Sequence, residues 1–153
     1  MSTSTGWLTS DQQRYWRAYL DGAACLVEAL GRQLERDAEL SMSEYEVLVR
    51  LSEAPDRTLR MSTLADSLAH SRSRVTHAIR RLEARGFVER RDCPADGRGV
   101  NAVMTDLGFA RRETAAPGHV AAVRAYLVDV LTDDQLRALG DSMAAVRAAL
   151  RAS

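Results

Sequence analysis

The sequence predicts a mainly α fold with one small β-hairpin, an α+β chain rather than a sheet protein. Three observations carry this. Ala, Leu, Val and Arg are abundant while aromatic residues make up only 5%, a mix that favours helices. Apolar residues recur at spacings of three and four over most of the length. One short stretch, Phe87 to Met104, instead alternates around a Pro- and Gly-bearing loop.

The elements follow in order. Asp11 to about Ala38 reads as one long helix, with Trp16, Tyr19, Leu20, Ala23, Leu26, Val27, Leu30 and Leu34 on its apolar side. Ser43-x-x-Glu46 fits a capping box for a second helix, Glu44 to Glu53, with Tyr45, Leu48 and Val49 inward and Ser52 at the margin. Ala54-Pro55-Asp56 stops it. Thr58 to Met61 is a short extended piece, and Ser62 then offers an N-cap for a third helix reaching Ala69.

Only His70-Ser71 separates that helix from a fourth, capped by Ser71 and closed at Arg85 by Gly86. Phe87 to Arg91 and Val100 to Met104 read as the two strands of the hairpin. Thr105 caps a further helix in which Pro117-Gly118 predicts a kink or break, with helix resuming from about His119 to Leu131. The last helix opens on the box Thr132-x-x-Gln135 and carries a heptad-like seam, Leu136, Leu139, Met143, Val146 and Leu150.

Bulk properties narrow the function. A chain of 153 residues, 46% hydrophobic and 27% charged, is one domain's worth of ordinary globular protein. Its longest apolar run, Ala23 to Val27, is too short for a membrane span or a signal peptide. Cys25 and Cys93 give no disulfide framework, which fits a reducing cytoplasm. There is no phosphate-binding glycine loop, no nucleophile elbow and no His-Glu-x-x-His helix, so the reading is of a non-enzyme. His70, His77, His119 and the cysteines lack metal-ligand spacing, and no metal or cofactor is implied.

Net charge is zero, but it is unevenly spread. Residues 1–60 carry 7 Arg against 10 acids, 61–100 carry 8 against 5, and 70–91 carry 7 against 2; there is no Lys. Arginine's planar donor fork suits phosphates and guanine edges. Two short capped helices, a tight turn and then a hairpin is the order of a winged helix-turn-helix. On a helical wheel Val75, Ala78, Ile79 and Leu82 share one arc and face the core. Ser73, His77, Arg80 and Ala84 take the opposite arc, with Thr76, Arg74 and Arg81 beside them.

The expected DNA-binding set is therefore Ser71, Arg72, Ser73, Arg74, Thr76, His77, Arg80, Arg81, Arg90, Asp96 and Arg98, with Arg91 also leaving the first strand. Ser73, His77 and Arg80 are assigned to base edges, and Arg72, Arg74 and Arg81 to the backbone. Arg98, at the loop tip between two glycines, suits the narrow minor groove. Asp96 is expected to hold Arg98 through a carboxylate–guanidinium pair or to form the turn.

Over nearly its whole length the chain resembles the MarR family of bacterial regulators. The resemblance rests on Leu40-Ser-Met-Ser-Glu-Tyr45, on Leu64-Ala65 with Leu68, and on Val75-Thr76 followed by Arg81-Leu-Glu-Ala-Arg-Gly-Phe-Val-Glu-Arg90. It is completed by Asp92-Cys-Pro-Ala-Asp96-Gly-Arg98 and Thr105-Asp-Leu-Gly108. Gly97, Gly99 and Met104 depart from it, where the family usually has polar or basic residues and Leu.

The resemblance implies a homodimer, with residues 1–40 and 109–153 forming the dimerisation helices and 41–108 the DNA-binding lobe. Each lobe would read half of a palindromic duplex operator. It also implies a repressor released by a small anionic or phenolic effector in a crevice beside the dimer helices, for which Trp16, Tyr19, Tyr45, Arg60 and His70 are the candidates. Some family members sense peroxide through a first-helix cysteine. Here Cys25 sits among Ala23, Ala24, Leu26 and Val27 and Met42 stands where such sensors tend to have Tyr, so a buried, inert thiol is expected and Cys93 is expected to be exposed on the wing. A redox regulator using Cys25, or a protein-interaction module that has kept the fold, are the alternatives.

Overall fold

A computed structural model describes residues 6–68 and 71–152. Helix α1 spans Ser10–Ala38 and is capped by a box the sequence reading did not use, Thr9 with Gln12. It ends where Glu39 turns left-handed at φ 54° and returns its N–H to Leu34 and Glu35. Only its last part enters the core, through Leu30, Gln33, Leu34 and Ala38. The preceding turns form an arm on which Trp16, Tyr19, Leu20 and Val27 stay exposed.

Helix α2 spans Met42–Glu53. Its box is Ser41 with Glu44, two residues ahead of the expected Ser43 with Glu46: Ser41 Oγ accepts from Glu44 N at 3.2 Å and Glu44 returns to Ser41 N at 2.7 Å. Both spacings satisfy the same template; Ser43 is instead taken by Arg74, whose Nε donates to it at 3.1 Å. Tyr45 and Leu48 are buried as expected, and so are Val47 and Leu51, whereas Val49 and Ser52 are half-buried. The one-stripe reading failed because α2 is the central helix, packed by α1 and by every other helix of the lobe.

After a tight turn at Pro55–Arg57, strand β1 (Thr58–Arg60) leads into α3 (Met61–Leu68). The helix begins one residue before Ser62, which therefore lies in its first turn instead of capping it. The expected end at Ala69 and the turn residue His70 lie outside the described residues. Helix α4 (Arg72–Ala84) is capped by Ser71, whose Oγ accepts from Arg74 N at 3.3 Å. Gly86 follows at φ 75°, a conformation that glycine adopts without steric cost.

Strands β2 (Val88–Asp92) and β3 (Val100–Met104) form the expected hairpin, Val88 opposite Met104 and Asp92 opposite Val100. The hairpin is extended to a three-stranded antiparallel sheet, order β1-β3-β2, by Thr58–Arg60 pairing with Asn101 to Val103. Helix α5 spans Asp106–Val123, capped by Thr105. Pro117 lies within it and does not end it, so of the expected kink or break the helix shows no break. Proline removes one N–H, but Ala115 on one side and Ala122 on the other are both buried and hold the helix in place. A π-helical turn, Arg124–Val128, then leads to α6 (Asp133–Ala152), opened by the expected Thr132 and Gln135 box.

The core sits in the lobe. Leu34, Leu40, Leu48, Leu51, Leu64, Ile79 and Leu82 are fully buried, each contributing roughly 1.5–3 kcal/mol of transfer free energy. Helix α6 adds no buried residue to it: Leu136 and Met143 are half-covered, while Leu139, Val146 and Leu150 are exposed. No described helix is long and apolar enough to cross a membrane.

Candidate nucleic-acid interface

Helix α4 is oriented by its apolar arc. Val75, Ala78, Ile79 and Leu82 are buried, which turns Ser73, His77, Arg80 and Ala84 outward and leaves Thr76 at the edge, half-buried. Thr76 Oγ1 donates to Arg72 O at 2.8 Å and Ser71 and Ser73 hydroxyls meet at 3.2 Å, so the small polar groups lie close to the helix surface. That leaves a shallow face on which larger groups can approach.

The arginines divide by partner. Arg81 lies 3.2 Å from the Glu44 carboxylate and donates to Ser41 Oγ at 2.9 Å. Arg90 pairs with Glu83 at 2.9 Å and Arg91 with Glu89 at 2.7 Å. Arg85, just past the end of α4, donates to Glu39 O. Among the described residues Arg72, Arg80 and Arg98 have no carboxylate partner. The basic face is therefore weaker than its count of arginines suggests, although exposed pairs contribute only about 0–1 kcal/mol and exchange readily for another anion.

The wing is held by Asp96. Its carboxylate accepts the backbone N–H of Arg98 at 3.1 Å, the turn-forming one of its two expected roles, and pairs with the guanidinium of Arg60 where the other expected role had that of Arg98. The Arg98 N–H first, and Arg60 second, hold the Asp96 carboxyl below its ordinary pKa. Arg98's own side chain stays exposed. A concavity of about 410 Å³ joins wing to helices, lined by Arg60, Ser62, Thr76, Arg90, Arg98 and Gly99. Ser62 and Gly99 were not among the expected site residues. The signal that would have found them is the β1–β3 pairing, and a three-residue strand carries too little periodicity to reveal it.

Comparison with known proteins places this geometry. Sco3205 of Streptomyces coelicolor, a MarR family transcriptional regulator whose crystal structure is in complex with DNA, is 44% identical. The match covers 95% of this chain and 91% of that one, with a TM-score of 0.91. The chain belongs to the MarR family of transcriptional regulators. The family's own model matches residues 40–100, which includes α2, the helix-turn-helix and the wing loop. AbsC, another MarR family regulator of Streptomyces coelicolor, is 37% identical over 97% of this chain and 100% of its own, with a TM-score of 0.90. The HTH-type transcriptional repressor YetL of Bacillus subtilis is 29% identical over 105 residues; the match takes in 67% of this chain and 63% of YetL, under two thirds of that protein.

Within this MarR-family chain the four effector candidates among the described residues fall at three places in the single chain. Trp16 and Tyr19 stack on each other at 6.0 Å on the exposed arm of α1. Tyr45 is buried against the His119 ring at 4.6 Å, and burial raises its pKa. Arg60 is at the wing, and His70 lies outside the described residues. Cys25 is exposed, correcting the expected buried thiol: of its apolar neighbours in sequence Ala24 and Val27 are exposed and Ala23 and Leu26 only half-buried. Cys93 is half-buried at the foot of the wing loop, not exposed, since its N–H is bound to Gly99 O at 2.8 Å. Among the described residues no group of three His, Cys, Asp or Glu side chains could hold a metal ion.

Proposed function

We propose that the chain is a homodimeric repressor that reads a palindromic duplex operator and is released by a small anionic or phenolic effector. The single observation that carries the DNA reading is the shared face of α4 and wing. Arg80, Arg72 and Arg98 are exposed and without acidic partners among the described residues, and Thr76 of α4 and Arg98 of the wing line one concavity. Helix α4 lies in a major groove, with Ser73, His77 and Arg80 toward the bases and Ser71, Arg72, Arg74 and Arg81 toward the phosphates. Arg98 enters the adjacent minor groove, with Arg90 behind it and Asp96 fixing the loop.

The dimer reading is supported by the arms. Trp16, Leu20 and Val27 of α1 and Leu139, Val146 and Leu150 of α6 are exposed in the single chain, more apolar side chains than a monomer ordinarily leaves to water. A second copy covers them, so that residues 1–40 and 109–153 are the dimerisation region and 41–108 the DNA-binding lobe. Two lobes also supply the contact area that one winged helix lacks. The crevice where the arms meet the lobe takes the effector, and a ligand that prefers one lobe spacing shifts the equilibrium between DNA-competent and released states.

The test is to recover fragments of the source genome that the purified protein retains, and to sequence them. A shared palindrome upstream of genes supports this reading. Retention of duplex fragments without sequence preference, disappearing at moderate salt, contradicts it.

A further inference from the structure

Arg60 is the last residue of β1 and stands immediately before α3, yet its side chain serves the wing. It pairs with Asp96, 36 residues away, and the same carboxylate takes the backbone N–H of Arg98 at 3.1 Å. Gly99 beside them is buried, and a Cβ there would lie 2.5 Å from Arg60 Nη2, 2.9 Å from Nε and 3.0 Å from Cζ. The guanidinium thus occupies the place a side chain at 99 would fill. A side chain at 99 would have to displace the Arg60 guanidinium. The wing tip is tied to the start of the first helix of the helix-turn-helix by this one side chain.

We propose that Arg60 is a positioning residue for DNA readout: through Asp96 and Gly99 it fixes the wing loop so that Arg98 points at the minor groove. The proposal rests on the DNA reading of α4 and wing given above. Without Arg60, Asp96 keeps the Arg98 N–H and the loop keeps its backbone bonds at Cys93 and Gly99, but the carboxylate loses its side-chain anchor to β1 and the tip carrying Arg98 is less firmly held. Arg98 then contributes little, because the ordering of a loose loop must be supplied on binding.

Operator binding by fluorescence anisotropy, using a duplex recovered from the genomic selection, tests this as a double-mutant cycle. Arg98→Ala is expected to weaken binding about tenfold, as loss of one well-placed contact does. Arg60→Ala is expected to lose most of that factor, and the double variant no more than Arg98→Ala alone. Gly99→Ala, which displaces the guanidinium, is expected to reproduce the Arg60→Ala loss and to be silent when Arg60 is already Ala. Selectivity for A·T over G·C pairs beneath the wing should fall in Arg60→Ala while the melting temperature stays near that of the parent; a merely structural role would move the second and not the first. Additive losses for Arg60 and Arg98, or an unchanged Arg60→Ala beside a weakened Arg98→Ala, overturn the positioning role and leave the wing reading standing. No loss in either variant overturns both.

Discussion

Arg81 of α4 reaches back 3.2 Å to the carboxylate of Glu44, the residue that closes the capping box of α2. Sequence reasoning assigns Arg81 to DNA phosphate. In the fold it fastens the recognition helix to the helix beneath, with Glu44 only 5% exposed and held by this neighbour and by Ser41 N–H.

Arg81→Ala is accordingly expected to cost stability. The pair is half exposed on the arginine side, so the loss is about 1 kcal/mol after allowing for solvent screening. That corresponds to a melting temperature lower by roughly 2–4 °C in a chain of this size. Arg80→Ala, which removes no internal partner, should stay within about 0.5 kcal/mol of the parent. Thermal denaturation of the two variants side by side checks this.

DNA affinity should rank the arginines in the opposite order. Arg72→Ala and Arg80→Ala free no carboxylate, so each is expected to weaken operator binding, Arg80→Ala with loss of base preference and Arg72→Ala almost uniformly across sequences. For the phosphate contact the slope of log affinity against log salt should fall by about one charge's worth, roughly 0.9. Titrations at several salt concentrations measure both effects.

Gly108 offers a test of the joint between wing and α5. A Cβ at this position would sit 2.2 Å from Phe87 O, a backbone atom that also accepts Thr105 N–H at 3.0 Å. Because backbone must move, Gly108→Ala is expected to destabilise by about 1–3 kcal/mol or more. Gly97→Ala, with open space around it, should be close to neutral. Denaturant unfolding of both distinguishes them.

His119 links three helices: its Nδ1 lies 3.2 Å from Gln33 of α1 and its ring packs on Tyr45 of α2. Burial, opposed in part by Glu46, lowers its pKa below that of an ordinary histidine. The unfolded chain therefore binds the proton more readily, so this contribution is complete above pH about 6.5 and is lost as pH falls toward the folded value. The melting temperature should drop between pH 7.5 and 5.5, and His119→Gln should flatten that part of the profile. An equal drop in the variant would assign the pH dependence elsewhere.

Much of the lobe is legible from local pattern. The buried arc of α4, the Ser71 cap, Gly86 and the β3 boundaries, and outside the lobe the Thr132 box, all follow from signals contained within a few residues. What local pattern leaves out depends on distant neighbours. The extended piece at Thr58–Arg60 becomes a paired strand because β3 lies beside it; Pro117 lies inside one continuous α5, in which Ala115 and Ala122 are buried; Val47 and Leu51 are buried because α2 is surrounded. The site shows the same division. The outward face of α4 could be read from a wheel, whereas the exchange of partners at Asp96, Arg60 for the Arg98 side chain, joins residues 36 apart and leaves no periodic trace.

Dimethyl sulfate probing of the operator complex examines both grooves at once, since it marks guanine N7 in the major groove and adenine N3 in the minor groove. Guanine N7 protection is expected in each half-site, where α4 lies, and adenine N3 protection just outside it, where Arg98 enters; Arg98→Ala should erase the second and keep the first. Protection confined to one groove, or an adenine pattern indifferent to Arg98, would contradict this placement of α4 and wing.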